Sequence, residues 1–462
     1  MALNEINRLS ATEIASRIAG RSLSAVEVTE AALARLNETE PALNAFAAVD
    51  RDGAHRAACE ADAAVKRGDP LGPLHGVPVS VKDLIDVTGL RAEYGSLTLK
   101  GNVANADAPS VQRLRRAGAI ILGKTTTSEF GYRGYTKSLA HGNTGNPWNL
   151  GRTPGGSSGG AVASVAAGVT PIALGTDGGG SIRAPCSLTG LVGIKANAGR
   201  IPVWPASATP TLAHVGPIAR TVEDAALLLR VCAGPDPRDP FSLMKPIGAE
   251  PAPDRVRELR VAFSPTLGYA KVDEPVARAV AAAVRRLASV FPRIDLVEQV
   301  CEQEGDILAA EFIGGCSARL GDTVDSEPDL IDPPLLAAIR DFRTTGTDHY
   351  TRLLRRRLAH RERLRMFFET HDLLLTPTTP CTAWNIDAGV PPGHERGVWS
   401  YFTYPFNLSG QPAASIPCGS SPDGLPVGLQ VVAPLCDEAM LLAALRAAEA
   451  ALGRLETPIE PR

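Results

Sequence analysis

The chain has 462 residues, of which 44% are hydrophobic and 21% charged, which is ordinary globular usage with ample material for a large core. A net charge of −3 offers no electrostatic footprint for nucleic acid, and no apolar run approaches the roughly 18 residues of a membrane span. The polar start MALNEINRLSATEIASRIAG lacks a basic-then-apolar leader, so a cytoplasmic location without membrane attachment is expected. The eight cysteines, scattered from Cys59 to Cys436, form no C-x-x-C pair, and the histidines form no H-x-x-x-H pair. Free thiols are expected, with no metal and no cofactor.

In chain order, residues 10–68 read as helices, with apolar Ile14, Ile18, Val26, Val28, Leu33 and Leu36 at helical spacing. GVPVSVKDLIDV follows Gly76 as a short β-branched strand. A helix from about Ser110 leads into a second strand, AIILGK, at 119–124. Residues 125–160 are rich in Gly, Thr, Ser and Asn and read as a long loop, a kind that usually carries function. A small-residue helix at about 158–168 precedes the strand TPIALG at 170–175. Beyond a proline-rich linker at 233–256, strands at 258–263 and 293–297 alternate with helices at 274–291, 301–320 and 347–370. DLLLTP, AASIPC and VGLQVV read as further strands, and 437–452 as a closing helix. This alternation predicts an α/β fold: a single large α/β/α layered domain whose mixed central sheet is covered by helices on both faces. Within it, residues 1–70 form a helical segment, 71–235 a catalytic core, and 257–462 a substrate-pocket half.

Two glycine-serine segments dominate the chemistry: RTPGGSSGG at 152–160 and GTDGGGSIRAP at 175–185. Consecutive N–H groups in such turns form a nest suited to an anion or an oxyanion. A serine at its end, such as Ser181, then sits beside the carbonyl that it attacks. Tight turns without chemistry are the alternative. A serine needs a base, and only His141 and His214 lie near these segments. Lys82 closes the apolar run VPVSVK, where desolvation favours the neutral amine that a Ser-Lys mechanism uses. A strand-end lysine reaching solvent is the competing reading.

These pieces, GVPVSVKD, TPGGSSGG and GTDGGGSIRAPCSLTGLVGIK, taken in order, resemble the amidase signature family. Ser157 and Ser181 stand 24 residues apart, the usual spacing in that family. LSAVEVTEAALARLNETEPALNAF, TSEFGY, NPWN at 146–149 and GLPVGLQVV carry the resemblance over essentially the whole chain. The resemblance implies Ser181 as nucleophile, Ser157 after a cis peptide as proton relay, and Lys82 as base. It further implies an oxyanion hole from the N–H groups of Gly178, Gly179, Gly180 and Ser181, with Asp177, Arg183 and Ser158 in support. Phe130, Gly131 and Tyr132 would line the substrate, with the Gly131 carbonyl accepting from the scissile N–H. Phe312, Ile313, Cys316, Trp399, Phe402 and Phe406 are candidates for the remaining wall. Two departures from the family pattern are Gly178, where a larger residue is common, and Ala196–Asn197 in place of a KPT sequence; the latter is expected to reshape a wall near the site.

The function expected is hydrolysis of a small apolar or aryl amide, or of a carbamate, by a monomer or homodimer. The alternative within the same family is the glutaminase subunit of a tRNA-dependent amidotransferase, which needs a charged pocket for the glutamine head group. Aromatic residues between Trp384 and Phe406 favour the first reading if they line the pocket, although core packing is their other use. GSSGG at 156–160 also fits a nucleophile elbow centred on Ser158, but no strand precedes it. SLMK at 242–245 has no partner motifs. The arginine-rich helix at 347–370 reads as a solvated face rather than a nucleic-acid surface.

Overall fold

Strand β2, Pro78–Lys82, is buried along its whole length and explains why its neighbours read as continuous apolar runs. It pairs in parallel with β3, Ile120–Thr125, on one side and with β6, Ile172–Asp177, on the other. In the computed structural model, which describes residues 3–394 and 398–458, these three strands belong to an eleven-stranded mixed sheet. Strand β1, Phe46–Val49, lies antiparallel outside β3, and the two-residue strands β4 and β5, Lys137–Ser138 and Gly142–Asn143, form a separate hairpin. Strands β7, Val192–Lys195, and β8, His214–Ala219, continue the sheet on the far side of β6. They are followed in the chain by β9, Val261–Phe263, β10, Ile294–Leu296, β11, Leu373–Pro377, β12, Ala413–Ser420, and β13, Pro426–Val432. The spatial order is β1-β3-β2-β6-β8-β7-β12-β13-β11-β9-β10. The late strand β12 pairs directly with β7, so one sheet runs through both halves of the chain.

Side chains alternate across β2. Val79 and Val81 enter the main apolar core with the long N-terminal helices. Ser80 and Lys82 face the opposite way, where Ser80 meets Ser164 of the helix Gly159–Ala166 at 2.8 Å. That helix consists of glycine, alanine, valine and one serine, and its small side chains let it lie close against the sheet.

Several elements depart from the sequence expectation. The stretch 10–68 is not all helix: capping boxes Ser10/Glu13 and Ser24/Glu27 start Ala11–Ala19 and Ala25–Leu43, then β1 intervenes before Arg51–Arg67. Strands β7 and β8 and the helices Val222–Cys232 and Pro333–Phe342 stand where no element was expected. The proline-rich stretch 233–256 is tied to the body rather than looped away from it. Arg113 donates to the carbonyls of Cys232 and Gly234, and buried Asp239 accepts the Val203 N–H at 2.9 Å. On the arginine-rich helix, Arg357 is buried against Glu311, while Arg356 and Arg363 pair with acidic side chains of the preceding segment. All eight cysteines are free thiols.

Candidate active site

The carboxyl ends of three adjacent parallel strands converge here, as ligand sites of open α/β sheets do. Lys82 is the last residue of β2, Thr176 and Asp177 close β6, and the loop after β3 runs on to Gly156 and Ser157. Lys82 is fully buried, with Nζ 2.7 Å from Ser157 Oγ, 3.0 Å from Ser158 Oγ and 2.8 Å from Thr176 Oγ1. Burial drives its pKa well below the ordinary lysine range, with the Asp177 charge opposing the fall. A neutral amine has two N–H donors and one lone pair, which three hydroxyl partners satisfy. The Ser158 hydroxyl donates to the Thr176 carbonyl at 3.1 Å and so faces Lys82 as an acceptor. Ser157 and Thr176 are the two hydroxyls left that can donate to the lysine lone pair.

The peptide between Gly156 and Ser157 is cis. Gly156 lies against the backbone of Tyr135, where an added Cβ would come within 2.5 Å of the Tyr135 carbonyl carbon, so only glycine fits. Ser157 is 1% exposed, and Ser181 is only partly buried. The two line one cavity together with Gly131, Thr176, Gly178, His214 and Phe312.

The loop bearing Ser181 is held from below by Asp177 and Arg183, both fully buried. Asp177 accepts from the Gly180 N–H at 2.8 Å and from Arg183 Nε and Nη2 at 3.0 and 2.9 Å. Burial alone raises the Asp177 carboxyl, but the Arg183 charge and its hydrogen bonds, with help from Asn407 and Lys195, hold it well below the usual carboxylate range. Arg183 also donates to the Thr403 carbonyl, Asn407 Oδ1 and Gln430 Oε1. The Gly180 N–H is therefore committed to Asp177 and does not point to an oxyanion, which corrects its place in the expected hole. Among the described residues the N–H groups of Gly178, Gly179 and Ser181 have no protein acceptor.

Neither histidine makes a good base. His141 lines neither cavity at Ser181. His214 does line the smaller one, but its Nδ1 lies 2.7 Å from the Leu212 carbonyl and 3.1 Å from that of Asp177, so the proton is on Nδ1. Burial, with Lys195 nearby, pushes its pKa down to about 3, too low to draw a serine proton near neutrality.

Ser181 stands where two cavities meet. The smaller is about 70 Å³ and the larger about 460 Å³. Tyr132, Ile313 and Trp399 line the larger, Phe130 the smaller, and Gly131 and Phe312 both. Three expected wall residues lie elsewhere. Phe402 and Phe406 are fully buried in a core cluster with Leu267, Leu374 and Leu364. Cys316 is fully buried among Phe130, Leu320 and Val324. Their aromatic or apolar character is spent on packing, which sequence alone does not distinguish from a binding wall. Asn197 does not shape the site either: its N–H donates to Glu438 and its side chain accepts from the Cys436 N–H, away from both cavities. Thr176 and Gln430 lie inside the segments GTDGGGSIRAP and GLPVGLQVV, where nothing assigns them a role, and Thr403 and Asn407 lie outside every motif. Among the described residues no group of three or more His, Cys, Asp or Glu side chains is placed to hold a metal, and no helix is long and apolar enough to cross a membrane.

A model of the amidase family matches residues 27–442. The chain belongs to the amidase family. It resembles the A-type subunit of the glutamyl-tRNA(Gln) amidotransferase of Acidothermus cellulolyticus, with 38% identity covering 97% of this chain and 95% of that one. It also resembles an acylamidase of Rhodococcus erythropolis, with 36% identity over 96% and 95% of the two chains. A solved bacterial aryl acylamidase of the amidase signature enzymes superposes with a TM-score of 0.90 at 28% identity, covering 97% of each chain. As a member of the amidase family the chain is an amide-hydrolysing enzyme with the fold of that structure, a mixed sheet flanked by helices.

Proposed function

We propose that this enzyme hydrolyses small apolar or aryl amides, and carbamates of the same shape, through an acyl-enzyme on Ser181. The observation that carries this reading is the buried Lys82 amine set on Ser157 at 2.7 Å, beside a cavity that Ser157 shares with Ser181. Neutral Lys82 takes the Ser157 proton, and Ser157 takes that of Ser181 as its oxygen attacks the carbonyl carbon. The N–H groups of Gly178, Gly179 and Ser181 meet the oxyanion. Ser157 then returns a proton to the leaving nitrogen, without which an amide anion does not depart. Water repeats the cycle on the acyl-enzyme and frees the acid.

Tyr132, Tyr135, Phe312 and Trp399 around the larger cavity support an aryl or apolar group on the substrate. The similarity to amidotransferase subunits supports the second reading, ammonia release from glutamine for a partner enzyme. The free thiols support a reducing, cytoplasmic place. A panel of para-nitroanilides, aryl carbamates and glutamine, assayed on wild type and Ser181→Ala, separates the readings. Turnover of anilides that is lost in the variant supports the first; turnover of glutamine alone supports the second.

A further inference from the structure

We infer that the substrate carries a carboxylate on the half that enters the smaller cavity, and that Arg319 recognises it. This rests on the amidohydrolase reading above and narrows its substrate class.

The helix Gly305–Leu320 presents Phe312, Cys316 and Arg319 along one face, at spacings of four and three residues. Phe312 lies over the Gly178 loop, and Arg319, one turn beyond Cys316, reaches the same cavity as Ser157 and Ser181. Its guanidinium carbon sits 5.1 Å from the ring centre of Tyr94 and 5.6 Å from that of Phe130. Both rings also line that cavity. Among the described residues no carboxylate pairs with Arg319. A guanidinium held against ring faces keeps its N–H edge open, and that edge matches a carboxylate. The other lining residues agree. None is aspartate or glutamate, while Ser207 and Thr209 add hydroxyls.

The contrast with Arg133 is direct, since that arginine, on the larger cavity, is already paired with Asp332. The same inventory weighs against a free amino acid in the smaller cavity. An α-carboxylate would find Arg319, but an α-ammonium would find no acidic partner there.

The test compares the para-nitroanilide of succinic acid with that of isocaproic acid, its neutral isostere, and likewise para-acetamidobenzoate with para-isopropylacetanilide. The first pair puts the carboxylate on the acyl half, the second on the amine half. Wild type should favour the charged member of one pair at least about tenfold in kcat/KM. In Arg319→Met that ratio should fall to about one, through KM rather than kcat, and Arg319→Lys should restore part of it. Glutaramate, which is glutamine without its ammonium, should release ammonia at least as fast as glutamine. Anilide turnover with no charge preference in either pair, a preference that survives Arg319→Met, or a tenfold preference for glutamine over glutaramate each overturns the inference and leaves the amidohydrolase reading standing. If none of the anilides is turned over at all, that reading falls and the inference with it.

Discussion

The Gly180 N–H points at Asp177 Oδ1, 2.8 Å away, and the turn that allows this has a φ of +131°. A side chain at Gly180 would be strained by that angle, and its Cβ would lie 2.2 Å from Thr403 Oγ1. Thr403 in turn donates to the Gly179 carbonyl at 2.8 Å, so the loop is fixed from both sides. Gly180→Ala should therefore displace the donors of Gly179 and Ser181 and lower kcat by about 100-fold or more. Steady-state kinetics on an anilide checks this. Thr403→Ala in the same background should recover part of the loss, because it removes the obstructing atom.

The Asp177–Arg183 pair makes a stability prediction. Arg183→Met leaves a buried carboxylate without its cation and should cost about 3–5 kcal/mol in urea unfolding. The Asp177 pKa is lower folded than unfolded, so the pair's contribution is present above the unfolded carboxyl value of about 3.9 and fades as pH falls below it. Wild-type stability should therefore fall from about pH 4 downward, a loss that Arg183→Met, whose buried carboxyl is raised instead, should not show.

On the proposed mechanism Lys82 acts as a base only when neutral. Since burial lowers its pKa, kcat/KM should rise with pH through that lowered value and then level off. Lys82→Arg keeps a charge but cannot release a proton, so amide hydrolysis should drop by several orders of magnitude, nearly as far as in Lys82→Ala. An amide and its matching ester, assayed across pH, make the measurement. Near wild-type amide turnover by Lys82→Arg would remove lysine from the mechanism.

Ser181→Ala should abolish turnover, and a phosphonyl fluoride should label Ser181 and not Ser158, as peptide mapping will report. Ser158 has its hydroxyl engaged by the Thr176 carbonyl and Lys82. Ser157→Ala should keep more residual activity than Ser181→Ala, with a larger loss on amides than on esters, whose leaving alkoxide needs a proton less.

Phe312 lies at the junction of the two cavities. Phe312→Ala removes an apolar wall worth about 1.5–3 kcal/mol when fully covered by substrate. KM for aryl amides should rise about ten- to hundredfold, with a smaller change for acetamide.

What the sequence made legible follows from where its constraints are local. Lys82, Ser157 and Ser181 stand in glycine-serine and β-branched segments whose composition is unusual over a few residues, and the structure gathers them at the carboxyl ends of adjacent interior strands. Strand β1, by contrast, is four residues between alanine-rich helices, and β7 has two apolar residues beside a glycine and a lysine; neither shows a period long enough to read. Gln430, Asn407 and Thr403 are set by tertiary geometry: the side-chain oxygens of the first two and the carbonyl of the third meet Arg183 across more than two hundred residues of chain. Phe402 and Trp399 look alike in sequence, and only the packing sends one to the core and the other to a cavity. Arg319 reads as one more surface arginine; it is indeed exposed, and only the structure sets its guanidinium over the rings of Tyr94 and Phe130 at the cavity rim.

The route by which β12 enters the sheet, beside β7 and ahead of β13, has a consequence for biosynthesis. All three chemistry-bearing side chains are translated within the first 181 residues, yet the anchors of their loop, Thr403, Asn407 and Gln430, emerge near the end. A nascent chain that stops short of Thr403 has the serine hydroxyls without the floor that holds their loop. On the proposed mechanism such a chain should be inactive until the last strands complete the sheet.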